Sequence, residues 1–242
     1  MIVSETTSCA LPTAMGTFRL HAFRMADGQE HVCLAMGDLD GRQPVLARVH
    51  SQCLTSEALA SVRCDCSEQL DQALGAIAAA GRGVVVYLRQ EGRGIGLFNK
   101  VRAYALQDGG ADTVDANLQL GFPADARDYA PAVAILKWLG VGAVRLMTNN
   151  PRKIAALENG DIAVVERIAI NGRTLQASAA YLAAKQVRLG HLPPNAKATR
   201  CEVHGRHQAP LLHEPSASEP EPHRARGPTL DFAAPHHRVR LA

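Results

Sequence analysis

Between residues 44 and 88 the hydrophobic period of the chain changes twice, and no other feature limits its possible folds as much. "PVLARVH" (44–50) is apolar, rich in Val and bounded by Gly-Arg-Gln-Pro, the pattern of a strand. "SEQLDQALGAIAAAG" (67–81) instead sets Leu70, Ala73, Leu74 and Ile77 on one helical stripe, with Ser67 as the expected N-cap and Gly81 as the stop. "GVVVYL" (83–88) is a short continuous apolar run, as a buried strand requires. The alternation continues downstream. "LFNKVRAYALQDGG", "YAPAVAILKWLG" and "PRKIAALENG" read as helices, the last with Pro at its first position. "AVRLMTNN" and "IAVVERIAI" read as strands, and "TLQASAAYLAAKQVRLG" as a final helix. Strands alternating with helices place the chain in the α/β class.

The chain has 242 residues, 47% of them hydrophobic, which is enough for a proper core; only 4% are aromatic, so aliphatic side chains and Ala must fill it. A net charge of +3 argues against a general nucleic-acid binder, whose basic face would dominate the balance. "MIVSETTSCALPTAMG" has no basic segment followed by an apolar run, and no stretch approaches the ~18 to 20 apolar residues of a membrane span. A cytoplasmic protein with no membrane partner is the expectation. From about residue 193 the composition shifts: residues 193–242 hold eight of the thirteen prolines and six of the ten histidines, without hydrophobic periodicity. Such a segment buries too little apolar surface to offset its ordering entropy, so 193–242 is expected to be a disordered tail. Residues 1–192 form the expected catalytic domain, with the folded unit starting near residue 10.

Three of the six cysteines, Cys53, Cys64 and Cys66, fall within fourteen positions. In a reducing compartment such a group reads as metal-binding or catalytic sooner than as disulfides. Structural zinc sites close with four ligands, whereas three thiolates leave a tetrahedral position open for chemistry. His50 as a fourth ligand, or three unliganded core thiols, remain alternatives on spacing alone. Three thiolates on Zn²⁺ leave a formal charge of −1, so neighbours able to handle protons are needed.

A second cluster is cationic. Residues 82–102 contain five Arg or Lys against one Glu, a local +4 around the glycine-rich turn "EGRGIG". Backbone N–H groups and cations at a strand-to-helix turn suit phosphate, although the Gly-Lys-Ser/Thr of a P-loop is missing. "GFPADARDYAP" places Asp125 and Arg127 in a turn before a helix, and "TNNPRK" (148–153) lies between a strand and a helix start, a common ligand edge in α/β folds.

In this order and spacing, "PVLARVHSQCLTSEALASVRCDCSEQL", "RQEGRGIGLFNKVRAYALQD", "DTVDANLQLGF" and "TNNPRK" resemble GTP cyclohydrolase II, over roughly residues 10–170. The resemblance implies a mixed sheet flanked by helices in one catalytic domain. It implies a zinc-dependent hydrolase that converts GTP to 2,5-diamino-6-(5-phospho-ribosylamino)pyrimidin-4(3H)-one, formate and pyrophosphate, the first step of riboflavin synthesis. One Zn²⁺ per subunit on Cys53, Cys64 and Cys66 would activate the water that attacks C8 of guanine, with Tyr104 assisting proton transfer. Asp125 and Arg127 match the acid/base and nucleophile pair for pyrophosphate release. Arg127 suits charge stabilisation better than nucleophilic attack, because a guanidinium is essentially always protonated. Mg²⁺ is expected with the phosphates. The nucleotide contacts carried over are Arg48, Val49, His50, Ser51, Gln52, Gln69, Glu91, Gly92, Arg93, Thr113, Thr148 and Lys153. The resemblance further implies a homodimer, and only some 43 residues precede "PVLARVH", so no fused dihydroxybutanone phosphate domain is expected. Two other readings stand beside it: a related hydrolase that stops at a formamidopyrimidine or feeds a specialised metabolite, and a zinc- and GTP-binding module without turnover.

Overall fold

A computed structural model describes residues 2–40, 43–172 and 176–193. One seven-stranded mixed sheet runs through the described residues in the order β1-β2-β3-β5-β4-β6-β7. Its strands are β1 Val3–Thr13, β2 Gly16–Met25, β3 Glu30–Met36, β4 Val45–Ser51, β5 Gly83–Leu88, β6 Ala143–Met147 and β7 Ala163–Ile168. β1, β2 and β3 form an antiparallel meander that joins β5 antiparallel, while β5, β4, β6 and β7 are mutually parallel. The helices are α1 Leu54–Glu57, α2 Cys66–Ala80, α3 Gly96–Asp108, α4 Thr113–Gln119, α5 Ala130–Trp138, α6 Pro151–Asn159 and α7 Gln176–Leu189. The expected α/β class with a mixed sheet is what forms.

The strand period assigns the two faces. Val84, Val86 and Leu88 of β5 and Val45, Ala47 and Val49 of β4 enter one core beneath α5 and α6, with Ile135, Leu136 and Leu157. Val85 turns to the other face and meets Ala73 and Ile77 of α2, which Leu70 and Leu74 flank. This is the stripe read from the sequence. Arg48 and His50 share that second face, because they alternate with Val49 along β4. The winding therefore steps from β4 out to β5, then back past β4 to β6, and the ligand-prone edge of such a sheet lies at the carboxyl ends of these strands.

Two boundaries differ from expectation. The fold begins at Val3, because β1 and β2 are paired from Val3↔Met25 to Thr13↔Gly16. α2 starts at Cys66 with Asp65 as its N-cap, so Ser67 lies inside the first turn; its N–H donates to Ser56 Oγ at 3.1 Å. Gly81 ends α2 in the left-handed conformation (φ 63°) as expected. No helix among the described residues is long and apolar enough to cross a membrane. Apart from Pro193, the tail assigned to 193–242 lies outside the described residues.

Candidate metal and nucleotide site

The carboxyl end of β4 delivers Ser51 and Gln52, and the chain then turns into α1 with Cys53 at its N-cap. Cys66 opens α2, and Cys64 sits two residues before it. The three Sγ atoms lie within 4.8 Å of one another, with Cys53 and Cys64 at 3.6 Å. Among the described residues this is the one group of three or more His, Cys, Asp or Glu side chains placed to hold a metal. The donor set is all sulfur, which suits a soft or borderline ion such as Zn²⁺ and leaves one tetrahedral position free. His50 is not part of this cluster, since neither ring nitrogen joins the three sulfurs within 4.8 Å, and its Nε2 is 2.8 Å from Glu57 Oε1.

Two carboxylates brace this cluster. Glu57 accepts from the Cys53 N–H at 3.0 Å and from the Tyr87 hydroxyl at 2.5 Å, in addition to His50. Burial pushes the His50 pKa down to about 4, so the neutral ring donates from Nε2 to Glu57 and leaves Nδ1 a buried acceptor with no partner. Glu91 takes the Leu54 N–H at 2.7 Å and the Gly92 N–H at 3.0 Å, and pairs with Lys100 Nζ at 2.6 Å. Lys100, in turn, donates to Cys53 Sγ at 3.1 Å. Hydrogen bonds from the Cys64 and Cys66 thiols, with the Lys100 ammonium beside them, hold Cys53 far below the usual thiol range. The same bonds push Cys64 and Cys66 up, so one thiolate charge is shared across the group.

Tyr104 stands on α3 one turn after Lys100, and its hydroxyl lies 3.3 Å from Thr55 Oγ1 at the metal pocket. Burial raises its pKa, which keeps the phenol protonated and able to donate. The turn before α3 adopts left-handed backbone at both Gly92 (φ 63°) and Arg93 (φ 60°), an uncommon conformation for an Arg. It brings Arg93 into the pocket, where both terminal nitrogens are buried without a partner. Gly94 is needed for a different reason. A Cβ there would lie 2.9 Å from the backbone carbonyl of Ala126, against which the turn is docked by Ala126 N–H donating to Arg93 O at 3.0 Å.

That docking carries Asp125 and Arg127 to the site. Arg127 donates from Nε and NH2 to the two Asp125 oxygens, both at 2.8 Å. Burial works against the Asp125 charge, but the Arg127 bonds and Arg152 at 2.7 Å outweigh it and hold the carboxyl below its ordinary range. The Arg127 guanidinium, also buried, is held all the more firmly protonated by this pair.

Arg127 borders a second pocket as well, with Arg48, Lys153, Thr148 and Gln69. Arg48 donates to Met147 O at 2.9 Å and to Gln69 Oε1 at 2.6 Å, while its Nε is buried without a partner. Burial pulls its pKa down to about 10. Lys153, at the start of α6 behind the Asn150 N-cap, donates to Val49 O at 2.8 Å. Burial, then repulsion from Arg48, Arg127 and Lys185, drives its pKa well below the usual ammonium range.

The expected site residues thus gather at one edge of the sheet, in two roles. Ser51, Gln52, Gly92, Arg93, Tyr104, Thr113 and Arg127 face the metal pocket; Arg48, Gln69, Thr148 and Lys153 face the second. Val49 points into the core and offers only its carbonyl, and Glu91 has both oxygens engaged within the protein. Sequence reading missed Glu57, Lys100, Tyr181, Lys185 and His191. Glu57 was visible as a carboxylate four residues after Cys53, but nothing in the chain announces its three donors.

Residues 4–169 match the GTP cyclohydrolase II family. A protein of Pseudomonas aeruginosa strain LESB58, named GTP cyclohydrolase-2, is 56% identical over 193 residues, covering 79% of this chain and 94% of its own length. The protein of that name from Neisseria meningitidis serogroup A is 53% identical over 192 residues (79% and 97%), and the one from Pseudomonas putida GB-1 is 57% identical over 186 residues (76% and 91%).

Proposed function

The chain belongs to the GTP cyclohydrolase II family of hydrolases, and from that premise we propose that it converts GTP and three waters to 2,5-diamino-6-(5-phospho-ribosylamino)pyrimidin-4(3H)-one, formate and pyrophosphate, opening riboflavin synthesis. The observation that carries this reading is the meeting of a three-sulfur cluster with Tyr104 on one side and Arg127 on the other, in one connected edge of the sheet. Zn²⁺ held by Cys53, Cys64 and Cys66 would supply a Lewis acid and activated water for attack on C8.

The protein's own groups then divide the work. Water adds to C8 and the C8–N9 bond breaks, leaving a formyl group on N7; a second water adds to that carbon and the C8–N7 bond breaks, releasing formate. Each departing nitrogen needs a proton, and Tyr104, kept protonated by burial, is placed to hand one over. At the other end a third water takes the α-phosphorus as the α–β P–O bond breaks and pyrophosphate leaves. Arg127 stabilises the charge that develops there, with Asp125 fixing its plane. Its firmly held proton makes it a poor nucleophile. Arg48 and Lys153 hold the phosphate chain. Mg²⁺ bound with the phosphates would supply further charge neutralisation beside Arg48, Arg127 and Lys153. The Leu97, Phe98 and Val101 side chains leave an exposed apolar stripe on α3, which fits assembly as a homodimer.

The test is turnover of GTP by the full chain with Zn²⁺ and Mg²⁺, following formate and pyrophosphate separately, beside Cys64→Ser. Equal formate and pyrophosphate are expected, with formate reduced about a thousandfold or more in the variant as one of three metal ligands is lost. Pyrophosphate without formate from the unaltered protein would instead mark a hydrolase of altered outcome. Neither product would leave a binding module.

A further inference from the structure

Helix α7 lies beyond residues 4–169, and it lines both pockets: Tyr181 borders each of them, and Lys185, with His191 just past the helix, borders the cationic one. The helix is tied across the site. Arg188, in its last turn, pairs with Asp112 and, at 3.0 Å, with Asp115 at the start of α4. Just past it, Leu192 N–H donates to Asn149 O at 2.8 Å, next to Thr148. Two cations approach the Tyr181 ring, Arg93 at 5.5 Å and Lys185 at 4.5 Å from its centroid.

The charges of the second pocket do not balance within the protein. Arg127 is paired with Asp125, and Lys185 with Asp65 at 2.7 Å. Among the described residues Arg48 and Lys153 have no carboxylate partner, only Met147 O, Gln69 Oε1 and Val49 O. His191 adds no charge, since burial and the surrounding cations push its pKa down to about 3. Arg48, Arg127 and Lys185, with Lys153 beside them opposed in its charge by burial and repulsion, face two carboxylates, a balance that a polyanionic occupant completes. Lys185 is the one that comes from a separate, covering helix, and its side chain is 13% exposed.

We propose that α7 is the third wall of the polyphosphate site, with Lys185 binding phosphate oxygens of the nucleotide. The proposal rests on the GTP reading above and adds to it a binding residue and the helix that carries it. Phosphate entry would share the Lys185 ammonium between Asp65 and the ligand and so fasten α7 over the pocket.

The test uses the full zinc-loaded chain, with inorganic pyrophosphate and GTP as probes, and the variants Lys185→Gln and Lys185→Arg. Lys185→Gln is expected to weaken pyrophosphate binding and raise KM for GTP by about tenfold, the worth of one charge-assisted hydrogen bond, and to lower kcat far less. Lys185→Arg should restore most of the affinity. In the unaltered protein, pyrophosphate should slow hydrogen exchange across 176–189. Unchanged pyrophosphate affinity and KM in Lys185→Gln would overturn the proposal, as would exchange in α7 that ignores pyrophosphate; the second readout decides even if the variant fails to fold. A protein that releases neither formate nor pyrophosphate from GTP, yet loses pyrophosphate affinity in Lys185→Gln, would refute the proposed reaction and leave Lys185 as a phosphate-binding residue.

Discussion

The two pockets at the sheet edge are built on opposite electrostatic plans. Around the metal cluster the charges are settled internally, with Arg93 at the pocket's edge left over: Lys100 lies between Cys53 and Glu91, and Glu91 is further satisfied by two backbone N–H groups. The cationic pocket is not settled in this way, and among the described residues Arg48 and Lys153 face it with neutral partners alone. The first is organised before substrate arrives, whereas the second stores an unfavourable charge balance that only an anion relieves. In the proposed reaction preorganisation would serve the pocket where bonds to carbon are broken, and stored repulsion the pocket that draws in a polyphosphate.

Three measurements sharpen or break this contrast. The largest effect should come from Tyr104→Phe, which removes a proton donor from the metal pocket only. Formate release should fall about a hundredfold or more, while pyrophosphate release continues. If the two products fall together, the pockets do not work separately. Lys100→Met tests the internal balance: formate release should drop about tenfold through the disturbed Cys53 environment, with pyrophosphate release spared. The smallest effect concerns stability. The Lys153 pKa is lower in the folded protein than in the unfolded chain, so the unfolded chain binds the extra proton. Stability due to this group therefore rises with pH between its depressed folded value and the ordinary ammonium range, and at neutral pH the group opposes folding. Lys153→Met should raise Tm by about 2–4 °C at pH 7, and the difference from the unaltered protein should shrink as pH rises toward 10. Equal Tm values at every pH would mean that the cationic pocket carries no stored repulsion.

Much of this was legible in the sequence, and the parts that were not share a cause. β4, α2 and β5 announce themselves because each buries a face, and burial imposes a period. β1 does not: its residues are almost all exposed, so no alternation marks it, and it is a strand because β2 offers a partner. α4 was overlooked although its cap was in view, with Asp112 accepting from Val114 N–H and Asp115 N–H. The cysteines stood out by residue type and spacing, whereas Tyr104 and the Asp125–Arg127 pair were singled out through the family resemblance. Lys100 and Glu57 did not stand out, because their roles depend on which backbone and side-chain groups approach from elsewhere. Lys185 was harder still, since a lysine on a helix normally reads as solvated until the fold lays Asp65 and Tyr181 against it.

One small contact has a large consequence. Gly94 lets the turn that presents Arg93 press against Ala126, flanked by Asp125 and Arg127. In the proposed reaction the metal-side turn and the Asp125–Arg127 pair are therefore mounted on a single joint, and the span between them is set by backbone touching backbone. GTP bound as proposed would satisfy both only if its reactive ring carbon and its first phosphorus were separated by that same span. The protein would in this sense be a caliper, with the length of a ribose written into a position where no side chain fits.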